Sequence, residues 1–307
     1  MTDPKKPLVT VAIPAYKTTF LKEAINSVLS QSYTNLEIII VNDHSPNDVR
    51  GIVNQFEDKR ISYYENQTNL GKDNPANNWN MCLRYAKGEF FCLLCDDDLY
   101  HSQFVSTMLT LADCNKECNV FRARACFIDR EGKETDWYPS SPQFETTTDY
   151  MWHTFKGLRK QTISEFFYRT EHIRRHGGYA LLPLAWYADY LSIFNFSTEG
   201  GIVSTYQTMV QFRLSGENIS SQDDKNTITK IKATNLYVKE VIALLDSYHL
   251  NAQFHDTLVA LLMYHTSTNT KWSLKHAPYG VLAELWLHHK QYQVKRSWVW
   301  NAIKHHN

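Results

Sequence analysis

Apolar and polar positions follow two alternating rhythms through the first hundred residues. Leu8 to Ile13 is a run rich in β-branched residues that Pro14-Ala15-Tyr16 breaks, and it reads as a strand. From Phe20 to Leu29 the apolar residues Leu21, Ala24, Ile25, Val28 and Leu29 recur at helical spacing. Leu36 to Val41 is a second buried strand, stopped by Asn42-Asp43-His44-Ser45-Pro46-Asn47, a dense turn signal. A short helix over 49–56, a third strand over 61–64 and a polar loop over 66–74 follow. A helix over 75–86 comes next, with Gly88 expected as its stop. Phe90-Phe91-Cys92-Leu93-Leu94-Cys95 is a fourth strand, apolar throughout as in a sheet covered on both faces. Strands alternating with helices imply βαβ units, hence an α/β fold with a mostly parallel central sheet flanked by helices.

Beyond residue 100 the rhythm loosens. Val120 to Ile128 predicts a strand, 129–148 reads as loop, and 161–168 and 201–214 would add strands. Residues 185–194 suit a helix carrying Asp189. From about Lys225 the pattern is helical to the end, opened by Ile228, Ile231, Leu236, Val238 and Val241. The expected organisation is an α/β domain over 1–222 followed by a helical C-terminal region over 223–307.

Composition narrows the function classes. Formal net charge is zero, so nothing global argues for nucleic acid, whose binders carry a basic excess. The six cysteines crowd between Cys82 and Cys126. Cys92 and Cys95 have C-x-x-C spacing, yet three residues along a strand they face opposite ways, and no second Cys or His pair stands nearby; buried reduced thiols are expected. The N-terminus lacks the apolar core of a signal peptide, and no apolar stretch reaches transmembrane length. A cytoplasmic protein is expected, at most peripheral to the inner face of a membrane.

The chemistry concentrates at Asp96-Asp97-Asp98, which ends the fourth strand. Adjacent carboxylates repel unless something positive sits among them. A hard divalent cation answers this, and Mg²⁺ is commonly held by one or two carboxylates plus substrate phosphates. Ligands in open α/β sheets bind outside the carboxyl ends of the strands, which is where the triplet lies. The alternative is an N-cap for a helix starting near His101-Ser102.

Four pieces stand in order: Val11-Ala12-Ile13-Pro14-Ala15-Tyr16, the Val41-Asn42-Asp43-His44-Ser45 turn, the Asn69-Leu70-Gly71 to Gly88 segment with Asn78-Trp79-Asn80, and Cys95-Asp96-Asp97-Asp98. This order resembles the family-2 glycosyltransferases with the GT-A fold, inverting enzymes that use nucleotide-diphospho-sugars. The resemblance covers about residues 8 to 220 and is densest in the first hundred. It implies a donor half over about 8–100 and an acceptor half over about 101–222. It also implies a nucleotide-sugar-binding site that includes Pro14, in which Tyr16 stacks on the nucleotide base and Asp43 accepts a base N–H. Lys72 and Asn78 would line the donor pocket. Asp96 would meet the ribose or a metal-bound water, and Asp97 would hold Mn²⁺ or Mg²⁺. Asp98 keeps D-x-D spacing with Asp96, so the ligand pair is open between them. Asp43 would otherwise form an Asx-turn, and Lys72 a solvated loop lysine.

The resemblance also implies a general base downstream, where Trp186-Tyr187-Ala188-Asp189-Tyr190 stands. Asp189 is the candidate, with aromatic neighbours that would raise its pKa by desolvation; Glu165, Glu171 and Asp149 are rivals. Gln211 to Ser220 resembles the segment closing the catalytic domain, and Arg213 would pair with phosphate oxygens. The implied donor is a UDP-sugar. The implied acceptor is a glycan or lipid-linked glycan of a surface polysaccharide such as an O-antigen, capsule or lipooligosaccharide.

The tail is rich in Trp, His and basic residues. It would either lie on an anionic membrane as amphipathic helices or pack as a helical subdomain with Trp in its core. Two other functions compete. A nucleotidyltransferase would need a glycine- and basic-rich phosphate loop after the first strand, and Pro14-Ala15-Tyr16-Lys17 is not one. A binding module without catalysis is countered by the triplet and Asp189.

Overall fold

The structure is a computed structural model and describes residues 6–216 and 226–305. In chain order the first half runs β1 (Val9–Ala15), α1 (Leu21–Leu29), β2 (Leu36–Asn42), α2 (Val49–Val53), β3 (Ile61–Glu65), α3 (Ala76–Tyr85), β4 (Phe90–Leu93), β5 (Leu99–Tyr100) and α4 (Phe104–Cys114). The middle holds β6 (Val120–Ile128), β7 (Glu134–Trp137), β8 (Phe144–Glu145), α5 (Thr147–Phe155), β9 (Phe166–Arg169), α6 (Thr170–Arg175), α7 (Ala188–Phe196) and β10 (Ile202–Arg213). Four helices follow: α8 (Thr227–Asp246), α9 (Ala252–Lys275), α10 (Tyr279–Leu287) and α11 (Arg296–Lys304).

One sheet takes all ten strands, in the order β3-β2-β1-β4-β9-β6-β10-β5, with β7 on β6 and β8 on β10. The pairs β3–β2, β2–β1, β1–β4 and β6–β10 are parallel, while β9 runs antiparallel between β4 and β6. The chain moves outward from β1 to β2 and β3, then returns to β4 on the other side of β1. Neighbouring loops therefore leave β1 and β4 in opposite directions, which opens the crevice that ligands use in such sheets.

Val9, Val11, Ile13, Ile38 and Ile40 point to one face and pack with α1, α2 and α4. Ala12, Ile39, Val41, Phe91 and Leu93 point to the other and pack with α3, α5 and α7. Burial on both faces is why these strands are apolar without alternation.

Two expectations change. The 129–148 stretch contains β7 and β8. All four β7 residues are exposed, so the strand is held by edge pairing to β6 and buries no face that a hydrophobic pattern would register. Gly88 is not a left-handed helix stop, since α3 already ends at Ala86 in extended conformation. Its N–H donates to Thr10 Oγ1 at 2.9 Å, and a Cβ there would lie 2.5 Å from the Thr10 nitrogen, so glycine permits a close approach. The boundary set at 222/223 lies outside the described residues, as do residues 217–220 of the closing segment. Of the helices after it, Tyr237, Val241 and Leu245 of α8 and Leu258 and Leu262 of α9 belong to the same core as α7. Only the end of α9, α10 and α11, with the start of α8, gather around a further small core.

Candidate active site

The carboxyl ends of β1 and β4 lie side by side because the strands pair in parallel from Val9–Phe90 to Ala12–Leu93. Tyr16 and Lys17 thereby meet the aspartate triplet. Asp96 Oδ2 accepts the backbone N–H of Tyr16 at 2.8 Å and of Lys17 at 2.7 Å. Lys17 Nζ lies 3.3 Å from Asp96 Oδ1 and donates to Asp97 Oδ2. Burial would lower the Lys17 pKa, but Asp96 and Asp97 outweigh it and raise it. Burial raises Asp96, with Lys17 pulling the other way. The positive charge the triplet needs is thus partly supplied by the chain itself. Sequence reasoning passed over Lys17, whose signal was a lone basic residue just past the first strand.

The triplet does not act as one unit. Asp96 and Asp97 line a cavity of about 910 Å³ and Asp98 does not. Asp98 is fully buried; its Oδ2 accepts from Ser164 Oγ at 2.6 Å and its Oδ1 from the Arg213 N–H at 3.0 Å. Burial and then Asp97 push its pKa up to about 8. Asp98 is therefore a strut between loops, and a metal-ligand role for it does not fit. The helix-cap alternative fails too, since Gln103 precedes α4 with no side-chain cap.

Arg213 is also corrected. It is 1% exposed and does not line the cavity. Its guanidinium donates to the Asp97 carbonyl at 3.0 Å, the Arg130 carbonyl at 3.0 Å and Glu23 Oε2 at 2.7 Å, and it stacks on Phe20 at 4.2 Å. The planar fork braces the Asp97 turn from behind and does not face a phosphate.

Pro14, Tyr16, Asp43, Lys72 and Asn78 all reach the cavity. Tyr16 is 42% exposed and lines the cavity, so it is open to a partner. Asp43 is buried at the end of β2; Oδ1 accepts from Asn66 Nδ2 at 2.8 Å and the Leu70 N–H at 2.9 Å, and Oδ2 from the Gly71 N–H at 2.7 Å. A carboxylate has about four acceptor positions, so a ligand N–H still has a place. Gly71 is required here, since a Cβ would sit 2.6 Å from Asp43 Oδ2. Asn78 bonds Asn66 and the Val41 carbonyl, fixing α3 against β2.

On the other wall Asp189 lines the cavity from the first turn of α7. Gln161 Nε2 donates to its Oδ2 at 3.2 Å. Burial raises its pKa to about 6, against the pull of Gln161. Leading into it, Leu184, Ala185 and Tyr187 hold φ of 59°, 52° and 65°. Three non-glycine residues in the left-handed region within four positions store strain of the kind that clusters at functional sites. The Leu184 N–H donates to the Asp73 carbonyl at 2.7 Å, tying the two walls together. None of the rivals lines the cavity. Glu165 is buried against Arg122 at 2.7 Å, Glu171 is exposed and pairs with Arg174, and Asp149 accepts from Thr146 at the start of α5.

The rest of the lining was not foreseen. His265, Asn269, Trp272 and Ser273 of α9 face the cavity. The six cysteines are free, and four are buried; Cys114 is exposed and Cys95 reaches the cavity. No helix among the described residues is long and apolar enough to cross a membrane.

A crevice at the β1–β4 switch, lined by carboxylates and an open aromatic face, on a sheet of this topology, is the arrangement of the GT-A fold. The family model for glycosyl transferase family 2 matches residues 10–177, more than half of the chain, and the chain belongs to that family. Relatives include the GalNAc(5)-diNAcBac-PP-undecaprenol beta-1,3-glucosyltransferase of Campylobacter jejuni, 36% identical over 129 residues, 41% of this chain and 40% of that protein. An uncharacterized glycosyltransferase of Haemophilus influenzae is 24% identical over 269 residues, 80% of this chain and 81% of its own length. The chain thus spans under half of the Campylobacter relative. Among solved structures, S. aureus TarS 1-349 in complex with UDP-GlcNAc superimposes with a TM-score of 0.69 at 15% identity, covering 91% of this chain and 83% of that one. The mannosyltransferase PcManGT from Pyrobaculum calidifontis, in complex with GDP-Man and Mn²⁺, gives 0.56 at 15% identity, covering 98% and 88%. At these identities the two structures show the fold alone.

Proposed function

We propose that this glycosyltransferase is a metal-dependent inverting enzyme that moves a sugar from a UDP-sugar to a hydroxyl of a glycan or lipid-linked glycan acceptor in surface polysaccharide synthesis. The observation that carries the reading is one cavity that brings together Tyr16 and Asp43, the Asp96–Asp97 pair and Asp189. TarS was solved with UDP-GlcNAc, and the Campylobacter relative is named for an undecaprenol-linked substrate; both support the choice of donor and acceptor.

The donor set fits a divalent cation. With Asp98 turned away, two carboxylates face the cavity, the number a hard cation takes when phosphates complete its shell. The Lys17 ammonium already stands between them as a monovalent substitute. Asp97 would hold the ion, which when bound neutralises charge on the leaving diphosphate. Tyr16 stacks on the base, Asp43 takes its N–H, and Lys72, exposed at the rim, meets a phosphate. The acceptor oxygen bonds to the anomeric carbon as the bond to the diphosphate breaks on the opposite face. Asp189 takes the hydroxyl proton as that bond forms, and Gln161 holds the carboxylate in place. The residues of 1–222 would form the catalytic domain, with the helices beyond completing it. Exposed Leu287 and half-exposed Trp300 beside Lys304 suit peripheral contact with the cytoplasmic face of a membrane, where a lipid-linked acceptor resides.

Thermal unfolding with UDP, GDP, CMP and dTDP, each with and without Mn²⁺, tests the donor site, because a ligand of the native state raises Tm by mass action. A shift with UDP that requires Mn²⁺ is expected. No shift with any nucleotide would favour a module without catalysis.

A further inference from the structure

One helix face in the cavity has no role in the chemistry above. At 3.6 residues per turn, His265, Asn269, Trp272 and Ser273 fall on one side of α9, and all four line the cavity. Trp272 is 49% exposed. A side chain of that size so open, on a helix that buries Leu258, Leu262 and Leu274, offers a broad apolar plate. Trp186 reaches the same cavity from the segment before α7. Beside the plates stand polar groups of mixed character. Asn269 Nδ2 donates to the Tyr187 hydroxyl at 2.6 Å and lies 3.3 Å from His265 Nε2. Burial lowers the His265 pKa, which keeps the imidazole neutral, with one donor and one acceptor nitrogen.

This combination suits one kind of ligand. A pyranose has a flat face of C–H bonds that packs on an aromatic ring and a rim of hydroxyls that each donate and accept. Neutral amide, imidazole and hydroxyl groups match that rim, and none of the four lining residues of α9 carries the fixed positive charge a phosphate would need. The face also belongs to the Asp189 side of the site. Asn269 bonds Tyr187, two residues before Asp189, and Tyr187 stacks on Tyr237 of α8 at 4.4 Å. Asp43, Asp96 and Asp97 instead hang from strand ends.

We propose that the His265–Ser273 face of α9 is the subsite for the acceptor sugar, with Trp272 as its stacking plate and Asn269 and His265 reading its hydroxyls. The proposal rests on the assignment of Asp189 as the base that meets the acceptor. It makes the C-terminal helices part of the specificity-determining wall, so the acceptor is selected by residues that lie beyond the stretch matched by the family model, 10–177.

The test is saturation-transfer NMR from protein aromatic protons to the methyl β-glycosides of glucose, galactose, N-acetylglucosamine and N-acetylgalactosamine. It is run on the whole chain with UDP and Mg²⁺, beside UDP affinity by calorimetry. Wild type is expected to transfer saturation to the ring protons of at least one glycoside. Trp272→Ala should reduce that transfer at least fivefold, with UDP affinity changed less than twofold, which also reports a folded protein. Trp272→Phe should retain part of it. Undiminished transfer in Trp272→Ala, or no transfer to any glycoside in wild type, overturns the subsite, as does a tenfold loss of UDP affinity in the variant. Glycoside contact is read independently of the nucleotide. Wild type that contacts glycosides in a Trp272-dependent manner but binds no UDP would therefore sink the donor reading and support the sugar subsite.

Discussion

On the strand side of the cavity the carboxylates are held by many donors: Asp43 by Asn66, Leu70 and Gly71, Asp96 by two backbone N–H groups and Lys17. On the helix side Asp189 draws a longer 3.2 Å bond from Gln161, sits behind three left-handed residues and titrates at about 6. The first arrangement occupies the carboxylate oxygens with donors from several loops and fixes those loops, as a binding surface should. The second leaves a carboxylate near neutrality in its affinity for a proton, as a base should be. Binding and turnover ought therefore to separate cleanly between the two walls.

Asp189→Asn is the sharpest way to break that separation. Turnover should fall by roughly 10²–10⁴, the scale of general-base loss, while UDP affinity holds. Steady-state kinetics beside calorimetry reads both, and unchanged turnover would remove Asp189 from the role.

On the strand side the sensitive element is Lys17. Lys17→Met leaves Asp96 and Asp97 buried without their internal cation. Breaking a buried pair costs about 3–5 kcal/mol, and because the Lys17 side chain is 26% exposed the expected loss is nearer to about 2 kcal/mol, since solvent screens partly exposed pairs. Denaturant unfolding without metal measures it. If Lys17 stands in for a metal, Mn²⁺ should raise the Tm of the variant by more than that of wild type. Equal shifts would show that the two cations do not compete.

The two walls also differ in how much of them could be read from the chain. On the strand side the resemblance named Pro14, Tyr16, Asp43, Lys72 and Asn78, the carboxylates ending a strand pointed to Asp96 and Asp97, and all seven reach the cavity because βαβ units bring strand ends together. Even there, sequence spacing could not say which way each side chain points. Asp98 and Arg213 turned away because the chain reverses between Cys95 and Asp98 and because β10 carries Arg213 behind the turn. Lys17 was passed over because its partners lie 79 and 80 positions away. On the helix side Asp189 was found by resemblance, but α9 was not. Its four lining residues are spaced like any amphipathic stripe, and only tertiary packing tells that this stripe faces a cavity and not solvent or core. The aromatic residues of the tail divide accordingly, Trp286 and Trp298 against the small core and Trp272 into the site.

The smallest effect, and the one that most finely sharpens the contrast, is the pH dependence of Asp189. As a base it must be ionised, so kcat/KM should rise through about pH 6 to a plateau and lie about tenfold lower at one pH unit below the midpoint. The same shift has a cost in stability. An unfolded Asp titrates near 3.9, so between that value and about 6 the folded state binds more protons than the unfolded one. Stability therefore falls as pH rises through this window and is level above it. Asp189→Asn removes the cost. With water in the cavity screening the charge, the gain should be about 1 kcal/mol, or about 2–4 °C in Tm for a chain of this size. It should be full at pH 8 and vanish toward pH 4. A variant less stable than wild type at pH 8 would mean that the carboxylate is held as firmly as those on the strand side, and the difference between the two walls would lose its physical basis.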